Sequence, residues 1–196
     1  MWTFVAKNDK RDGGFCRVFV KKIASNQRQK GASPTEEKMD GLDEIYTDLI
    51  MEHSMNSYNK KKLAKADFTE MGHNPNCGDE ISLELKLSED GKSIEDMAFS
   101  GHGCAISQAS TSIMIDTLKG KSVEEAKEII QTFINMIKRE IQDEEELEKL
   151  EDAIAFKNIA NMPARVKCAL LAWHTLEDMI NKNENEGTGE INECHV

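Results

Sequence analysis

Three cysteines lie where the chain changes from one predicted element to another. Cys77 lies in a loop before a predicted strand, Cys104 at the start of a predicted helix, and Cys168 in the first turns of the last predicted helix. Loops and element ends often carry the reactive groups of a protein. Thiolate sulfur binds zinc or the iron of a cluster well, and it binds magnesium or calcium poorly. The three sulfurs therefore make zinc or iron the metal chemistry to consider.

The segment 74–79 reads Asn-Pro-Asn-Cys-Gly-Asp and places a thiol two residues from a carboxyl group. Pro75 stiffens the turn, and Gly78 permits a close approach of the backbone. Cys77 and Asp79 can therefore point into one pocket. Asp79 is the candidate fourth ligand.

A Gly-His-Gly segment at 101–103 precedes Cys104 and lets the chain turn tightly into a helix N-terminus. Free backbone N–H groups and the helix dipole favour a thiolate there, so we expect Cys104 to lose its proton readily. His102 could compete as a ligand, although a solvent-facing loop histidine is the favoured interpretation. His73 and His174 receive the same interpretation, with His174 a weaker candidate on the last helix.

The spacing of the cysteines alone leaves two alternatives open. The chain has no close Cys-x-x-Cys pair, so the pattern is equally compatible with a shared metal site and with three buried or redox-idle thiols. The total of five cysteines is odd and no secretory signal is recognisable, which favours reduced thiols in a cytoplasmic protein. The other two, Cys16 and Cys194, fall in segments that we expect to be unstructured.

Composition limits the classes of partner and the number of domains. The chain has 196 residues, is 39% hydrophobic and carries a formal net charge of −11, which suits one domain with a sizeable core. A negative charge spread along helices argues against binding nucleic acid or an anionic membrane. No apolar run approaches the roughly 18 residues of a membrane span.

Charge also divides the chain along its length. Residues 1–38 hold nine Lys or Arg against four Asp or Glu, and we expect them to form a basic, disordered leader. Residues 39–182 should form the folded domain. Residues 183–196 are polar and are expected to be a disordered tail.

Hydrophobic periodicity and local end signals predict the order of the elements. Strands are predicted at 66–71, 81–87 and 95–99, with a hairpin turn at 89–92. Helices are predicted from Leu42 to about 56–62, from Ala105 to Leu118 before Gly120, from the Ser122 and Glu125 capping box to about Arg139, and from Pro163 to about Asn181. The acidic segment 140–152 is interpreted as a solvated helix face or loop. This order predicts an α+β fold, a small three-stranded antiparallel sheet with helices packed on one face.

Three blocks together resemble one known family over residues 42 to about 181. They are Asn-Pro-Asn-Cys-Gly-Asp at 74–79, Gly-His-Gly-Cys-Ala-Ile-Ser at 101–107 and Pro-Ala-Arg-Val-Lys-Cys-Ala-Leu at 163–170. In this order they resemble the SufU branch of the IscU/NifU-like proteins of iron-sulfur cluster assembly. The resemblance implies a SufE/IscU/NifU-N-like fold.

Two departures favour the SufU branch over the IscU scaffolds. Scaffolds of the IscU type have a His before the last Cys, whereas this chain has Lys167. The stretch between Cys104 and Cys168 is also longer, with an acidic insertion at about 139–155. The segment 56–61 departs from the family pattern Asn-Pro-Arg-Asn-x-Gly, which leaves the details of partner docking open.

The resemblance implies a zinc-dependent sulfurtransferase of the cytoplasm. In that interpretation zinc is bound by Cys77, Asp79, Cys104 and Cys168, with Arg165 and Lys167 in support. A SufS-like cysteine desulfurase supplies a persulfide sulfur that Cys77 accepts. The sulfur then passes to a SufBCD-like assembly complex.

Two other functions remain open at this point. The same four ligands could hold iron or a transient iron-sulfur cluster, which would make the chain a scaffold. Alternatively, the protein could be a non-catalytic adaptor in which zinc only stabilises the fold.

Overall fold

The computed structural model describes residues 36–141 and 143–186, with side chains described for 46–141 and 143–183. The elements, in chain order, are α1 (Glu36–Met55), β1 (Phe68–Asn74), β2 (Asp79–Leu87), β3 (Ile94–His102), α2 (Ala105–Leu118), α3 (Val123–Lys138), α4 (Glu144–Leu147), a 3-10 segment (Glu148–Asn161) and α5 (Pro163–Glu186).

The three strands form one antiparallel sheet in the order β1-β2-β3. Along β2, Ile81, Leu83 and Leu85 are buried, and the residues between them are exposed or half-buried. This alternation means that one face packs on the helices and the other faces solvent. The predicted α+β fold with helices on one face of a three-stranded sheet is confirmed.

Helix α5 lies very close to the inner face of β1 and β2. A Cβ atom added at Gly72 would come within 2.3 Å of Thr175 Oγ1. Because only a residue without a side chain permits this approach, Gly72 sets how closely the middle of α5 can lie to β1. That closeness matters for Cys168 on α5 and for Cys77 in the turn after β1.

Helix α2 occupies the centre of the helical layer, and ten of its 14 residues are buried. Helix α3 begins with the predicted capping box of Ser122 and Glu125. Its apolar side packs inward, and Phe133 stacks on Trp173 of α5 with ring centroids 3.9 Å apart. Fully burying an apolar side chain of this size contributes about 1.5–3 kcal/mol, so this layer is the main stabilising core.

The acidic segment 140–152 has the predicted solvated face, and together with the residues that follow it up to Asn161 it also has a buried face that was not predicted. Its acidic side chains are exposed, but a second set of side chains in it is buried: Leu147, Leu150, Ala153, Phe156 and Ile159. These residues recur every third position. Because a 3-10 helix has three residues per turn, this spacing aligns them on one face. The segment therefore joins the core, with a break at Glu151, where φ is 49°.

The ends of several elements differ from the predicted boundaries. Helix α1 begins at Glu36 and not at Leu42, and β1 runs from Phe68 to Asn74 and not over 66–71. Helix α5 continues to Glu186, past the predicted end at Asn181. The predicted leader up to residue 35, the end of the predicted tail after residue 186, and Cys16 and Cys194 lie outside the described residues.

Across residues 36–141 and 143–186, none of the helices combines the length and the apolar character that a membrane crossing requires.

Candidate metal centre

Three ligand atoms from two distant parts of the chain meet at the end of the sheet. One sulfur from Cys77, one carboxylate oxygen from Asp79 and the sulfur of Cys168 all lie within 4.8 Å of one another. The Cys168 thiol donates to Cys77 Sγ at a sulfur-to-sulfur distance of 3.0 Å. The structure thus brings together three of the four predicted ligands.

The turn between β1 and β2 positions Cys77. The turn is closed where Asn74 pairs with Asp79, and the backbone N–H groups of Cys77 and Gly78 donate to Asn74 O at 3.3 and 2.9 Å. Gly78 has φ of 69°, a left-handed conformation that glycine adopts at little cost. Cys77 is exposed at the tip of this turn.

Cys168, unlike the exposed Cys77, is shielded from solvent. It is buried, only 1% exposed, in the second turn of α5, where this helix packs on β1. The sequence separation between Cys77 and Cys168 is 91 residues. Their meeting therefore depends on the docking of α5 against the sheet.

Asp79 is fully buried, and neutral N–H donors hold both of its carboxylate oxygens. The backbone N–H of Cys104 donates to Oδ1 at 2.7 Å, and the Asn74 side chain donates to Oδ2 at 3.3 Å. A Cβ atom added at Gly103 would lie 3.1 Å from Oδ1, so a glycine there keeps this approach open. A carboxylate without solvent must be satisfied in this way, because a buried polar group without partners costs several kcal/mol.

Asn74 is a site residue that the sequence did not reveal. Its amide is only 4% exposed, and Nδ2 donates to Asp79 and also to Cys168 Sγ at 3.4 Å. Its Oδ1 accepts from the backbone N–H of Asn76 at 3.2 Å. Strand alternation could have identified Asn74. Side chains two residues apart on a strand share a face, so Asn74 faces inward with Gly72, and it is the cross-strand partner of Asp79.

Cys104, the fourth predicted ligand, does not belong to the group of Cys77, Asp79 and Cys168, whose ligand atoms all lie within 4.8 Å of one another. It caps the N-terminus of α2, as predicted, and its sulfur accepts from the Ser107 N–H at 3.4 Å. Its thiol also contributes to the hydrogen bonding that shifts the Cys168 pKa. The side-chain oxygen of Ser107 is buried and lacks a hydrogen-bond partner within the described part of the chain. Coordination by Cys104 stays a prediction.

The electrostatics of the cluster favour a bound cation. Burial raises the pKa of the Cys168 thiol well above its ordinary value, and hydrogen bonds with Cys77, Asp79 and Cys104 raise it further. Because several acidic groups crowd one poorly solvated region, they cannot all be ionised together without a positive charge nearby. Sulfur and carboxylate ligands of this kind fit zinc or iron.

Arg165 supplies one positive charge at the exposed edge of the cluster. Its Nη1 atom lies 3.9 Å from Cys77 Sγ. The pKa of Arg165 is raised by a hydrogen bond to Cys168 and by the negative charge of Cys104, Cys77 and Cys168. Lys167 is exposed, and no described contact joins it to the cluster.

The three histidines considered from the sequence do not belong to the three-atom group. His102 ends β3 with its side chain 72% exposed, in agreement with the solvent-facing interpretation, and its Nδ1 lies 4.0 Å from Glu80 Oε2. His73 is exposed on β1. His174 is half-exposed and lies 3.2 Å from Glu177 Oε2 on its own helix.

Comparison with known proteins identifies similar chains. A model of the NifU-like N-terminal domain family matches residues 45–187, which include all three cysteines of the site. The zinc-dependent sulfurtransferase SufU of Bacillus subtilis (strain 168) is 40% identical over 144 residues, which cover 73% of this chain and 94% of the relative.

Scaffold proteins are also among the relatives. The iron-sulfur cluster assembly scaffold protein IscU of Thermotoga maritima is 41% identical over 138 residues, covering 70% of this chain and 94% of the relative. A crystal structure from Fervidobacterium islandicum AW-1, described as an iron-sulfur cluster assembly scaffold for the SUF system, is 40% identical. It covers 70% of this chain and 97% of that chain, with a TM-score of 0.64.

Proposed function

Since the chain belongs to the NifU-like N-terminal domain family, with SufU and IscU proteins of iron-sulfur cluster assembly as its relatives, we propose that it transfers sulfur. In this proposal Cys77 accepts a persulfide sulfur from a SufS-like cysteine desulfurase. The observation that carries the proposal is the exposure of Cys77 at the tip of its turn, with Asp79 and Cys168 buried behind it.

The difference in exposure supports different roles for the cysteines. Cys77 is exposed, Cys104 is half-buried and Cys168 is buried. A persulfide on another protein can reach only a sulfur at the surface, because attack requires the two sulfurs to come into contact. Cys77 therefore acts as the acceptor, and Cys168 acts as a ligand.

The transfer is a thiol exchange at the outer sulfur of the partner persulfide. The Cys77 thiolate attacks that sulfur, a new sulfur–sulfur bond forms on Cys77, and the bond in the partner persulfide breaks. The partner cysteine leaves as a thiolate. One sulfur atom changes carrier, and no external oxidant or reductant is required.

Arg165 contacts the sulfur of Cys77. Its guanidinium, 3.9 Å from Cys77 Sγ, can stabilise the negative charge that this sulfur carries when it attacks. In the thiol form, Cys77 donates to the Ala164 carbonyl oxygen at 3.8 Å. Both contacts come from the first turn of α5, so this turn orients the sulfur in either protonation state.

Zinc is the proposed cofactor, and Cys77, Asp79, Cys104 and Cys168 would hold it. When bound, zinc supplies the positive charge that keeps buried sulfurs ionised at neutral pH. Asn74 and the Cys104 N–H hold Asp79 in place for this role.

A scaffold function is the second candidate, because the Thermotoga maritima relative carries that name. The observation against it is the position before the last cysteine. Lys167 occupies it, is exposed and has no described contact with the cluster. An ammonium group is also no ligand for iron. An adaptor with purely structural zinc is the third alternative.

The decisive experiment measures which cysteine gains sulfur. The reduced protein, loaded with zinc, is incubated with a cysteine desulfurase and cysteine, and peptide mass spectrometry locates the added sulfur atom. We expect sulfur on Cys77, no transfer to Cys77→Ser, and undiminished transfer in the control in which Cys16 and Cys194 are both replaced by Ser.

The same preparation separates the alternatives. A coloured cluster that forms with iron and sulfide and passes to an apo-acceptor would establish the scaffold. A zinc protein that neither gains sulfur nor stimulates the desulfurase would establish the adaptor.

A further inference from the structure

A second group of metal-ligating side chains lies on the outer face of the sheet. His73 of β1 is the cross-strand partner of Glu80 in β2, and Glu80 is the partner of His102 in β3. The three residues therefore form one straight row across all three strands. We call this set the outer row.

Strand alternation places the outer row on the face opposite the cysteine cluster. Asn74 and Asp79, the chain neighbours of His73 and Glu80, are buried toward the helices. Because successive side chains of a strand point to opposite faces, the outer row points away from them. His73, Glu80 and His102 are all exposed.

Two of the three side chains of the outer row, His102 and Glu80, already approach each other, whereas the ligand atoms of all three residues do not lie within 4.8 Å of one another. His102 Nδ1 lies 4.0 Å from Glu80 Oε2, and these two side chains are 72% and 50% exposed. The His73 side chain takes part in none of the described hydrogen bonds or ion pairs. Glu80 is therefore the middle residue of the row, and an ion shared by all three residues requires the exposed histidine side chains to change rotamer.

We propose that the outer row binds a second divalent cation of the zinc type, independently of the cysteine cluster and of sulfur transfer. Each histidine would supply one ring nitrogen and Glu80 one carboxylate oxygen. Imidazole selects zinc, cobalt or nickel over magnesium or calcium. Two histidines and one carboxylate leave further coordination positions to water.

The spacing of the strands is compatible with this set of ligands. Directly opposed Cβ atoms lie about 4.5–5.5 Å apart, and neighbouring strands about 4.8 Å apart. The backbones of His73 and His102 are therefore about 10 Å apart, with Glu80 midway. Two imidazoles that lean toward Glu80 can meet over it at the zinc–nitrogen distance of about 2.0–2.1 Å.

The outer row should bind more weakly than the cysteine cluster. Its ligands are exposed and must be ordered on binding, which costs side-chain entropy. It also lacks thiolate sulfur and the neutral N–H donors that hold Asp79. The two sites should therefore fill in sequence during a titration, with the outer row second.

Cobalt titration of the full-length, reduced, metal-free protein tests the proposal. Calorimetry counts the bound ions, and the thiolate-to-cobalt charge-transfer absorption reports the cysteine cluster alone. We expect wild type to bind one cobalt ion more than the His73→Ala, His102→Ala double variant, with the same charge-transfer absorption in both.

Two single-site comparisons sharpen the result. Loss of an outer-shell partner alone typically weakens metal binding about 10–100-fold. Glu80→Gln removes a direct ligand, so it should lower the affinity for the second cobalt ion by at least about tenfold. His174→Ala is the matched control, because His174 is also a half-exposed histidine beside a glutamate. The His174→Ala variant should bind the same number of cobalt ions as the wild type.

Either of two results would overturn the proposal. One is an equal number of bound ions in wild type, the double variant and Glu80→Gln. The other is a change in the thiolate absorption on replacing His102, which would make that residue part of the cysteine cluster. Circular dichroism of each variant checks that the sheet is intact.

Discussion

At the scale of single residues, the three cysteines have the same chemistry and different surroundings. Cys77 is exposed beside Arg165, and Cys168 is buried among acidic groups. Thiol reactivity follows access and thiolate content. The surroundings therefore differ sharply between two sulfurs that lie 3.0 Å apart, and the proposed roles of acceptor and ligand follow this difference.

Replacement of Arg165 should slow the chemistry of Cys77. In the reduced, metal-free protein we expect Arg165→Ala to lower the alkylation rate of Cys77 by up to about tenfold, because losing about 1.4 kcal/mol of stabilisation of the attacking sulfur slows a reaction about tenfold. Peptide mass spectrometry after timed iodoacetamide treatment measures the rate. Lys167→Ala is the matched comparison on the same turn, and an equal slowing there would indicate a general field effect and not the contact of Arg165.

Asn74 is expected to act as a positioning residue for two ligands. Asn74→Ala removes the amide group that donates to Asp79 Oδ2 and to Cys168 Sγ, so we expect zinc affinity to fall about 10–100-fold, as for other outer-shell partners. Chelator competition measures the dissociation constant. Asn76→Ala, in the same turn and exposed, is the control; equal losses in both variants would rule out a specific role for Asn74.

At the scale of elements, the site depends on three junctions. They are the β1–β2 turn with Cys77, the β3–α2 junction with Cys104, and the first turns of α5 with Cys168. Polar contacts also connect α1 and the following loop to α2: Ser57 Oγ donates to Ser112 Oγ at 2.8 Å, and His53 Nδ1 lies 2.8 Å from the same oxygen.

Asn59 should contribute most to the docking of this loop. It is 9% exposed, and Nδ2 donates to Ser112 O at 3.1 Å and to Asp116 Oδ1 at 2.8 Å. Asn59→Ala removes the side-chain donor to the carbonyl oxygen of the buried Ser112, which costs about 1–3 kcal/mol, whereas water can replace the donor to the exposed Asp116. Urea unfolding should show this loss in the free energy of unfolding. Asn56→Ala, at an exposed position, should change it by less than about 0.5 kcal/mol.

At the scale of the whole molecule, the cysteine cluster connects the sheet to the last helix. Cys77 and Asp79 come from one end of the sheet, and Cys168 comes from α5, 91 residues after Cys77. A metal ion held by them binds the native state in preference to the unfolded chain. Folding and metal binding are therefore linked.

Removal of zinc should lower the free energy of unfolding of the whole domain. At a zinc concentration 1,000 times the dissociation constant, binding contributes about 4 kcal/mol, which corresponds to a fall in Tm of about 8–16 °C for a chain of this size. Calorimetry with and without chelator measures the shift. Cys168→Ala should show little response to the chelator; an unchanged Tm in the wild type would contradict the linkage.

Local patterns in the sequence were sufficient for much of this fold. Strand alternation, the capping box of Ser122 and Glu125, and the bounds of α2 depend on contacts between near neighbours, and they were predicted correctly. The three-residue period of the acidic segment was also present in the sequence. It was missed because the burial of Leu147, Leu150 and Phe156 depends on helices elsewhere in the chain.

The sequence by itself determined which residues could form the site, because thiols, a carboxyl group and glycines at element ends are properties of the chain. The tertiary structure decided their surroundings. Docking of α5 on β1 brought Cys168 to Cys77, buried it and left Cys77 in solvent, and it placed the Asn74 amide between Asp79 and Cys168. Exposure and electrostatic coupling arise from segments far apart in sequence, so no local pattern carries them.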